Sequence, residues 1–361
     1  MSCFPVIGMM SGTSMDGIDT TLVFTDGINI KKTGIFIHKK YSSTTLSLLK
    51  KAVNTPYKYI NNQKLIDLVT LEHYFTIKDL QKKTSIKPSL IGFHGQTILH
   101  DINKKKSIQI GNPKLLSNLT KIDVVFDFRK KDILYNGQGA PLAPIYHRYI
   151  IENENFKTPC CIINIGGVTN LTYWDKEKLI GFDCGPGNGL LDMFAQEKLG
   201  IPFDNFGDIA SQGRTNKFLV TKFLNNEYFK KKYPKSLDRK SFDKEYKKII
   251  ISKMSNQDKL ATFVDITAHS IFKSLDILPT YPKYVLICGG GQFNKFLVKK
   301  IKSGVKCLIN TADEIKLNGS LIEAELIAFL AMRRLKNYPT TLPSTTGVDK
   351  PISGGEIYSY T

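Results

Sequence analysis

Residues Gly8 to Asp19, Gly-Met-Met-Ser-Gly-Thr-Ser-Met-Asp-Gly-Ile-Asp, constrain this chain more than any other stretch. An apolar lead-in, Phe4 to Ile7, reads as a strand, and Thr20 to Phe24 is again β-branched and apolar. Glycine lets a backbone turn sharply and approach a ligand closely, and successive N–H groups in such a turn form an anion-binding concavity. Strand, glycine-rich turn, strand is a hairpin. It is neither a strand–loop–helix phosphate loop nor a dinucleotide fingerprint, and the Gly-Lys-Ser/Thr ending is missing. The stretch reads as a phosphate-gripping hairpin, against the plainer use of glycine in the turn itself. The pattern returns from Ile162 to Tyr173, around Gly166, Gly167 and Asn170, about 155 residues further on. Two such hairpins suggest two related domains facing one cleft.

A chain of 361 residues is too long for one ordinary core and suits two domains. No apolar run approaches the roughly 20 residues needed to span a membrane, so no membrane association is expected. The N-terminus lacks a basic region followed by a hydrophobic signal core, so export is not implied and a cytoplasmic protein is expected. The six cysteines show no Cys-x-x-Cys pair and are expected to be reduced, several of them inside apolar strands. The net charge of +19 invites a nucleic-acid partner. Yet the lysines are scattered, and aromatics do not alternate with them as a stacking platform requires. The charge is taken as solvated surface, and no nucleic acid is expected.

Along the chain, Asn29 to Tyr41 reads as another strand pair with Gly34 as a turn or bulge. Thr44 to Asn54 and Gln63 to Ser85 have helical spacing. Ser89 to Phe93 reads as a short strand ending in His94-Gly95-Gln96-Thr97, and Val124 to Phe128 as one running into Arg129 and Asp132. In the second block, Phe182 closes a strand at Asp183, a helix follows from Gly189 to Leu199, and a lysine-rich helical stretch fills 214–278. Tyr284 to Cys288 leads into Gly289-Gly290-Gly291, and a last helix, Ser320 to Leu335, carries Glu323 and Glu325 on different faces.

The glycine-rich stations all follow strands, where ligands gather in open α/β sheets. The two hairpins suit the phosphates of a nucleotide, and the Gly289 to Gly291 turn its base or a phosphate. Phosphoryl transfer asks the protein for charge neutralisation, a metal and in-line positioning. Asp16 and Asp19 are suited to Mg²⁺ through its waters, or to capping their own turn. Asp183, followed by Gly185, Pro186 and Gly187, is the carboxylate singled out as general base, with a turn-capping aspartate as the alternative. His94, Gln96 and Arg129 offer polar groups for a sugar and a carboxylate.

Seven motifs occur in one order: Gly8 to Asp19, His94-Gly-Gln-Thr97, Gln109-Ile-Gly-Asn112, Phe128-Arg129, Gly137-Gln-Gly-Ala-Pro141, Asn164-Ile-Gly-Gly-Val-Thr-Asn170 and Phe182-Asp-Cys-Gly-Pro-Gly-Asn188. Together they resemble the anhydro-N-acetylmuramic acid kinases over nearly the whole chain. The resemblance implies an α/β fold, the actin/hexokinase-like ATPase superfold, with two RNase H-like lobes and ATP in the interlobe cleft. The expected lobes are residues 1–150, with 338–361 packing back on them, and residues 151–337. It also implies the reaction: water opens the 1,6-anhydro bridge of the amino sugar while ATP phosphorylates the 6-oxygen, giving N-acetylmuramic acid 6-phosphate and ADP in peptidoglycan recycling. Carried over, Gly12, Thr13, Ser14, Met15, Asp16, Gly17, Ile18 and Asp19 match the ATP loop. Asp183 matches the water-activating aspartate and Glu323 a glutamate near the sugar, while His94, Gln96 and Arg129 would line the sugar pocket. A homodimer is compatible with the family. A simple sugar kinase on the same superfold, or a nucleotide-driven binding module, is the competing reading. Two departures stand out: Asn136 occupies an expected glycine position, and Leu237-Asp238 and Lys240 replace an expected Thr-Gly and Glu.

Overall fold

A computed structural model describes residues 2–12, 15, 17–237, 241–319 and 321–360. Thr13, Ser14 and Asp16 of the expected ATP loop, and Asp238 and Lys240, lie outside the described residues. The strands are β1 (Phe4–Ser11), β2 (Ile18–Thr25), β3 (Ile30–Lys39), β4 (Leu90–Asp101), β5 (Lys106–Ile110), β6 (Asp123–Phe126), β7 (Cys160–Ile165), β8 (Val168–Trp174), β9 (Leu179–Pro186), β10 (Tyr284–Cys288), β11 (Leu308–Thr311) and β12 (Glu356–Tyr358). The chain divides into two compact units, Met1–Tyr149 with Ser320–Thr361, and Ile150–Gly319.

In the first unit the sheet order is β12-β6-β4-β1-β2-β3, with β5 added to the far half of β4. β1 pairs antiparallel with β2 and parallel with β4, and β4 pairs parallel with β6. In the second unit the order is β11-β10-β7-β8-β9, again antiparallel on one side of the first strand and parallel on the other. Each unit thus carries the same RNase H-type sheet, entered by a glycine-turn hairpin. Its central strands read as unbroken apolar runs because both faces are covered: every residue of β7 and β10 is buried. The outermost β3 instead alternates, sending Ile35 and Ile37 to the core while Phe36 and His38 face outward.

One helix, Ile322–Leu335, lies directly on the first sheet, and two glycines let it. A Cβ at Gly8 would fall 1.9 Å from the Ala324 carbonyl oxygen, and one at Gly92, its partner across β1 and β4, 2.5 Å from that of Ile327. Glu325 on this helix is buried, accepting from Tyr146 Oη at 2.7 Å and from Lys32 Nζ at 2.9 Å. It is no surface charge.

Several expectations need correction. The helix carrying Glu323 belongs to the first unit, because its contacts are with β1, β2 and β4; the chain returns at Ser320, not at residue 338. Residues 30–39 are one strand, and Gly34, at φ +73°, sits beside a register shift against β2 rather than in a turn. The helix from Gln63 stops at Gln81, where Thr84 Oγ1 takes the Ile86 N–H and the chain extends into Pro88. His94 to Thr97 lie within β4, and Asp183 within β9, not at their ends. In both places a bulge lets the strand continue.

Two outcomes follow from this packing. Gly8→Ala must push the helix off the sheet and is expected to cost at least ~2 kcal/mol, read as a lower urea midpoint; an unchanged midpoint would refute the close approach. Burial pushes His73 down to about 4, and His94 and His147 down to about 3, from an ordinary 6.5. Below pH 6.5 the unfolded chain takes up protons that the folded one refuses, so stability falls as pH falls, by up to about 1.4 kcal/mol per pH unit for each histidine. Urea melts at pH 7.5 and pH 5 should therefore differ strongly, with hydrogen exchange rising first in the first unit. Superposable melts would show that these histidines are not buried neutral.

Candidate active site

In the first unit, the candidate residues gather where β1 ends. Ser11 Oγ donates to the Gly95 carbonyl at 3.1 Å, and Gln96 Nε2 donates to the Gly12 carbonyl at 2.9 Å. Gly95, at φ +68°, forms the bulge that turns Gln96 toward the loop. Met15 is also left-handed, at φ +58°, with its N–H on Gly12 O at 3.2 Å. Gln96, expected on the sugar, is completely buried and ties the loop after β1 to β4. Its Oε1 finds no partner among the described residues. Gly17 packs on Lys39 O and the His38 ring, with Ile18 buried beside it. Asp19 Oδ1 lies 2.8 Å from His38 Nδ1 across β2 and β3.

His94 serves Arg129. Its Nδ1 donates to the Gly95 carbonyl at 2.8 Å, which leaves Nε2 as the acceptor. That nitrogen receives Arg129 Nε at 3.2 Å and Nη2 at 3.1 Å, while Arg129 Nη1 donates to Gly139 O at 2.7 Å. Burial, and then the guanidinium itself, depress the His94 pKa to about 3 and keep the ring a neutral acceptor. The guanidinium is thus clamped in orientation by a side chain that is itself 3% exposed.

Asp132 is fully buried and structural. It accepts from Gly139 N at 2.7 Å and Thr346 Oγ1 at 2.6 Å, so it pins the loop 136–141 to the C-terminal segment. Asn136, in the expected glycine position, adopts φ +64°, a conformation asparagine tolerates better than most residues. Glu323 lies in the first turn of the Ile322–Leu335 helix, next to Ala324, whose carbonyl meets Gly8. The close helix–sheet approach therefore fixes its backbone.

In the second unit, the candidate residues lie on β7, β8 and β9 and the turns that follow them. The Gly166–Gly167 turn is tied from behind: Asn188 N donates to Gly166 O at 2.8 Å, and Gly187 N and Gly189 N to Gly167 O, each at 3.1 Å. A Cβ at Gly187 would lie 2.2 Å from Gly166 O, and one at Gly185 2.6 Å from Ser270 Cβ. These glycines make room for the protein's own chain, not for substrate. Gly289 and Gly291 likewise pack on Asn164 and Ile165. Gly166 and Gly290 differ, since no atom comes closer than 3.5 Å and 3.9 Å to their built Cβ positions. Those two offer open backbone to a ligand. Beside them, Oδ1 of Asn170 and of Asn188 is buried and has no partner among the described residues. The order in the sequence names Asn170; Asn188 was hidden as the last letter of a motif.

Asp183 is 6% exposed and sits opposite Asn170 at the β9 bulge. Its N–H donates to Lys235 O at 2.9 Å, its carbonyl accepts Tyr228 Oη at 2.5 Å, and its Oδ2 accepts the Leu237 N–H at 2.8 Å. The bond from Leu237 fixes the rotation of the carboxylate. Lys235 lies in the Pro234-Lys235-Ser236 segment that leads into the Leu237-Asp238 departure, while Tyr228, 45 residues downstream of Asp183 in the lysine-rich stretch, did not stand out in the sequence.

A model of the anhydro-N-acetylmuramic acid kinase family matches residues 5–360. The anhydro-N-acetylmuramic acid kinase of Zymomonas mobilis is 37% identical over 366 residues, covering 98% of this chain and 99% of that protein. Its counterpart in Rhodopseudomonas palustris is 37% identical over 361 residues, 97% of each chain. That of Agrobacterium fabrum is 36% identical over 370 residues, again 97% of each. This chain belongs to the anhydro-N-acetylmuramic acid kinase family and is a phosphotransferase that acts on an alcohol group.

Proposed function

We propose that the chain uses ATP and water to convert 1,6-anhydro-N-acetylmuramic acid into N-acetylmuramic acid 6-phosphate and ADP, as a cytoplasmic step of peptidoglycan recycling. The near-full-length family match carries the reading, and the Asp183 geometry supports the assignment of roles. Asp183 takes a proton from water as its oxygen bonds to the anomeric carbon. The bond from that carbon to the 6-oxygen breaks, and its electron pair leaves on the 6-oxygen. The 6-oxygen bonds to the γ-phosphorus, and the bond to the bridging oxygen breaks to release ADP. A carboxylate fixed by the Leu237 N–H loses little orientational freedom when it meets the water. Glu323 orients the same water and the sugar from the first unit.

In this reading the loop from Gly12 to Asp19 holds the triphosphate on one side. Gly166, Gly167 and Asn170 hold it on the other, and Gly289 to Gly291 receive the adenosine. Met1–Tyr149 with Ser320–Thr361, and Ile150–Gly319, act as the two lobes of an ATP clamp, and Arg129, oriented by His94, takes the sugar's carboxylate. Mg²⁺ fits the first unit's donors in kind: the Asp19 carboxylate, also held by His38, and the buried Gln96 Oε1 are oxygens, which suits an ion that keeps its waters. Asp16 and Asp19 would hold it, and bound there it would neutralise phosphate charge. A homodimer is a compatible assembly.

The assay incubates the protein with ATP and the anhydro sugar in ¹⁸O-water and weighs the product. One phosphoryl group and one labelled oxygen at the anomeric carbon are expected. A phosphorylated product that still holds its anhydro ring would overturn the coupled mechanism. Asp183→Asn should retain ATP binding and lose turnover by ~10³-fold; near-normal turnover would remove Asp183 from the base role.

A further inference from the structure

Asn188 stands where two glycine turns of the second unit come together. Its backbone N–H donates to Gly166 O at 2.8 Å, which ties it to the turn after β7. Its side chain lies against the turn after β10: among the described residues, the atom within 4 Å of a Cβ built on Gly290 is Asn188 Nδ2, at 3.9 Å. Gly166 and Gly290 both keep open space over their backbone. A ligand laid from one turn to the other must therefore pass Asn188.

An asparagine at the head of a helix ordinarily accepts an N–H of the first turn. Asn188 precedes the Gly189–Phe194 helix and does not: at φ −72° and ψ −13° it is already helical, and its side chain makes no capping bond. Its Oδ1 is buried and has no partner among the described residues. The local fold gains no hydrogen bond from this amide, and an unpaired buried oxygen is unfavourable. The other end of the amide is placed differently. Asn188 is only half-buried, and its Nδ2 donates to nothing among the described residues. The neighbouring Gly290 N–H lies outside the bonds of its own turn, the first of which runs from Gln292 N to Gly289 O at 3.2 Å. Two neighbouring donors over open space suit an oxyanion.

We propose that Asn188 is a phosphate-binding residue of the nucleotide site: its Nδ2, beside the Gly290 N–H, donates to the α-phosphate of ATP. This rests on the reading that puts the terminal phosphates on Gly166 and Gly167 and the adenosine on Gly289 to Gly291. With the two ends of the nucleotide so assigned, the group that crosses Asn188 is the phosphate joining them. The contact is made by a neutral amide, so it recognises the α-phosphate alike in ATP, ADP and AMP.

The test titrates the full-length protein and its N188A and N188D variants with ADP, AMP and adenosine by calorimetry. N188A should weaken ADP and AMP about tenfold and leave adenosine within about twofold, because the contact removed is to phosphate. N188D sets a carboxylate against the phosphate and should weaken both by roughly a further tenfold. Equal losses for all three ligands would put the contact on the nucleoside. A loss for ADP without one for AMP would put it on the β-phosphate, and no loss at all would put Asn188 outside the site. Each of these overturns the proposal. The underlying reading is judged on the wild-type protein alone: if it binds neither ADP nor AMP, the nucleotide assignment fails and the inference falls with it. Should N188A fail to fold by circular dichroism, N188S takes its place with the same three ligands. If neither folds, the side chain is structural and the proposal is overturned.

Discussion

The contact of the Ile322–Leu335 helix with the backbone of β1 and β4 is the constraint on which the first unit depends. Ordinary helix–sheet packing is separated by side chains; here Gly8 and Gly92, paired across the two central parallel strands, remove them at the crossing point. The helix answers with Ala324 and Ala328, and its Glu325 is anchored by Tyr146 and Lys32. A buried carboxylate with two donors is tolerable where an unpaired one is not. The helix is consequently held at both ends of a short lever: by backbone contact at Gly8 and by an ion pair one residue beyond Ala324. Glu323 lies one residue ahead of the first of these restraints.

The polar groups around the site are mostly occupied with one another. His94 orients Arg129, Gln96 fixes Gly12, and Asp132 gathers Gly139 and Thr346. Burial makes such bonds obligatory, since a buried polar atom without a partner costs about 1–3 kcal/mol. The buried atoms left over are therefore informative. Oε1 of Gln96 in the first unit, and Oδ1 of Asn170 and Asn188 in the second, all border the glycine turns that the sequence marks for phosphate. A site that binds a hydrated ion or ligand oxygens has reason to keep such atoms open.

How much of this was legible in the sequence depended on range. Strands and caps are local: Asn112 followed by Pro113, and Asn294 ahead of Lys295, cap their helices as their residue types indicate. The twin hairpins were legible because each is closed by its own glycines. Bulges were not, since Gly95 within β4 and the shift at Asp183 depend on the neighbouring strand's register. Hence His94 to Thr97 and Asp183 looked like strand ends. Glycine roles were the least legible. Gly187 and Gly289 have the composition of a ligand loop but serve contacts with Gly166 and Asn164 from elsewhere in the chain, while Gly166 and Gly290 keep open space. The Glu323 helix was read with the wrong unit for the same reason: sequence proximity to the second unit says nothing about Gly8.

Long range also explains why Asp183 is held both by its strand and by residues 235–237. A carboxylate at the end of a strand would be free to rotate; Asp183, inside β9 at a bulge, has its backbone held by Lys235 O and Tyr228 Oη and its side chain by Leu237 N. The bulge breaks the alternation of the strand locally and sets Asp183 opposite Asn170, with Cys184 as the extra residue. Holding a charged group there needs donors from outside the sheet, because β9 is an edge and β8 already supplies its one ladder. The lysine-rich stretch provides them. Its aromatic residues Tyr228, Phe229 and Phe242 pack against one another at ring separations of 5.6 to 6.0 Å. Composition in this stretch therefore serves two ends: exposed lysines carry the charge, while buried Tyr228 and the Leu237 N–H hold Asp183.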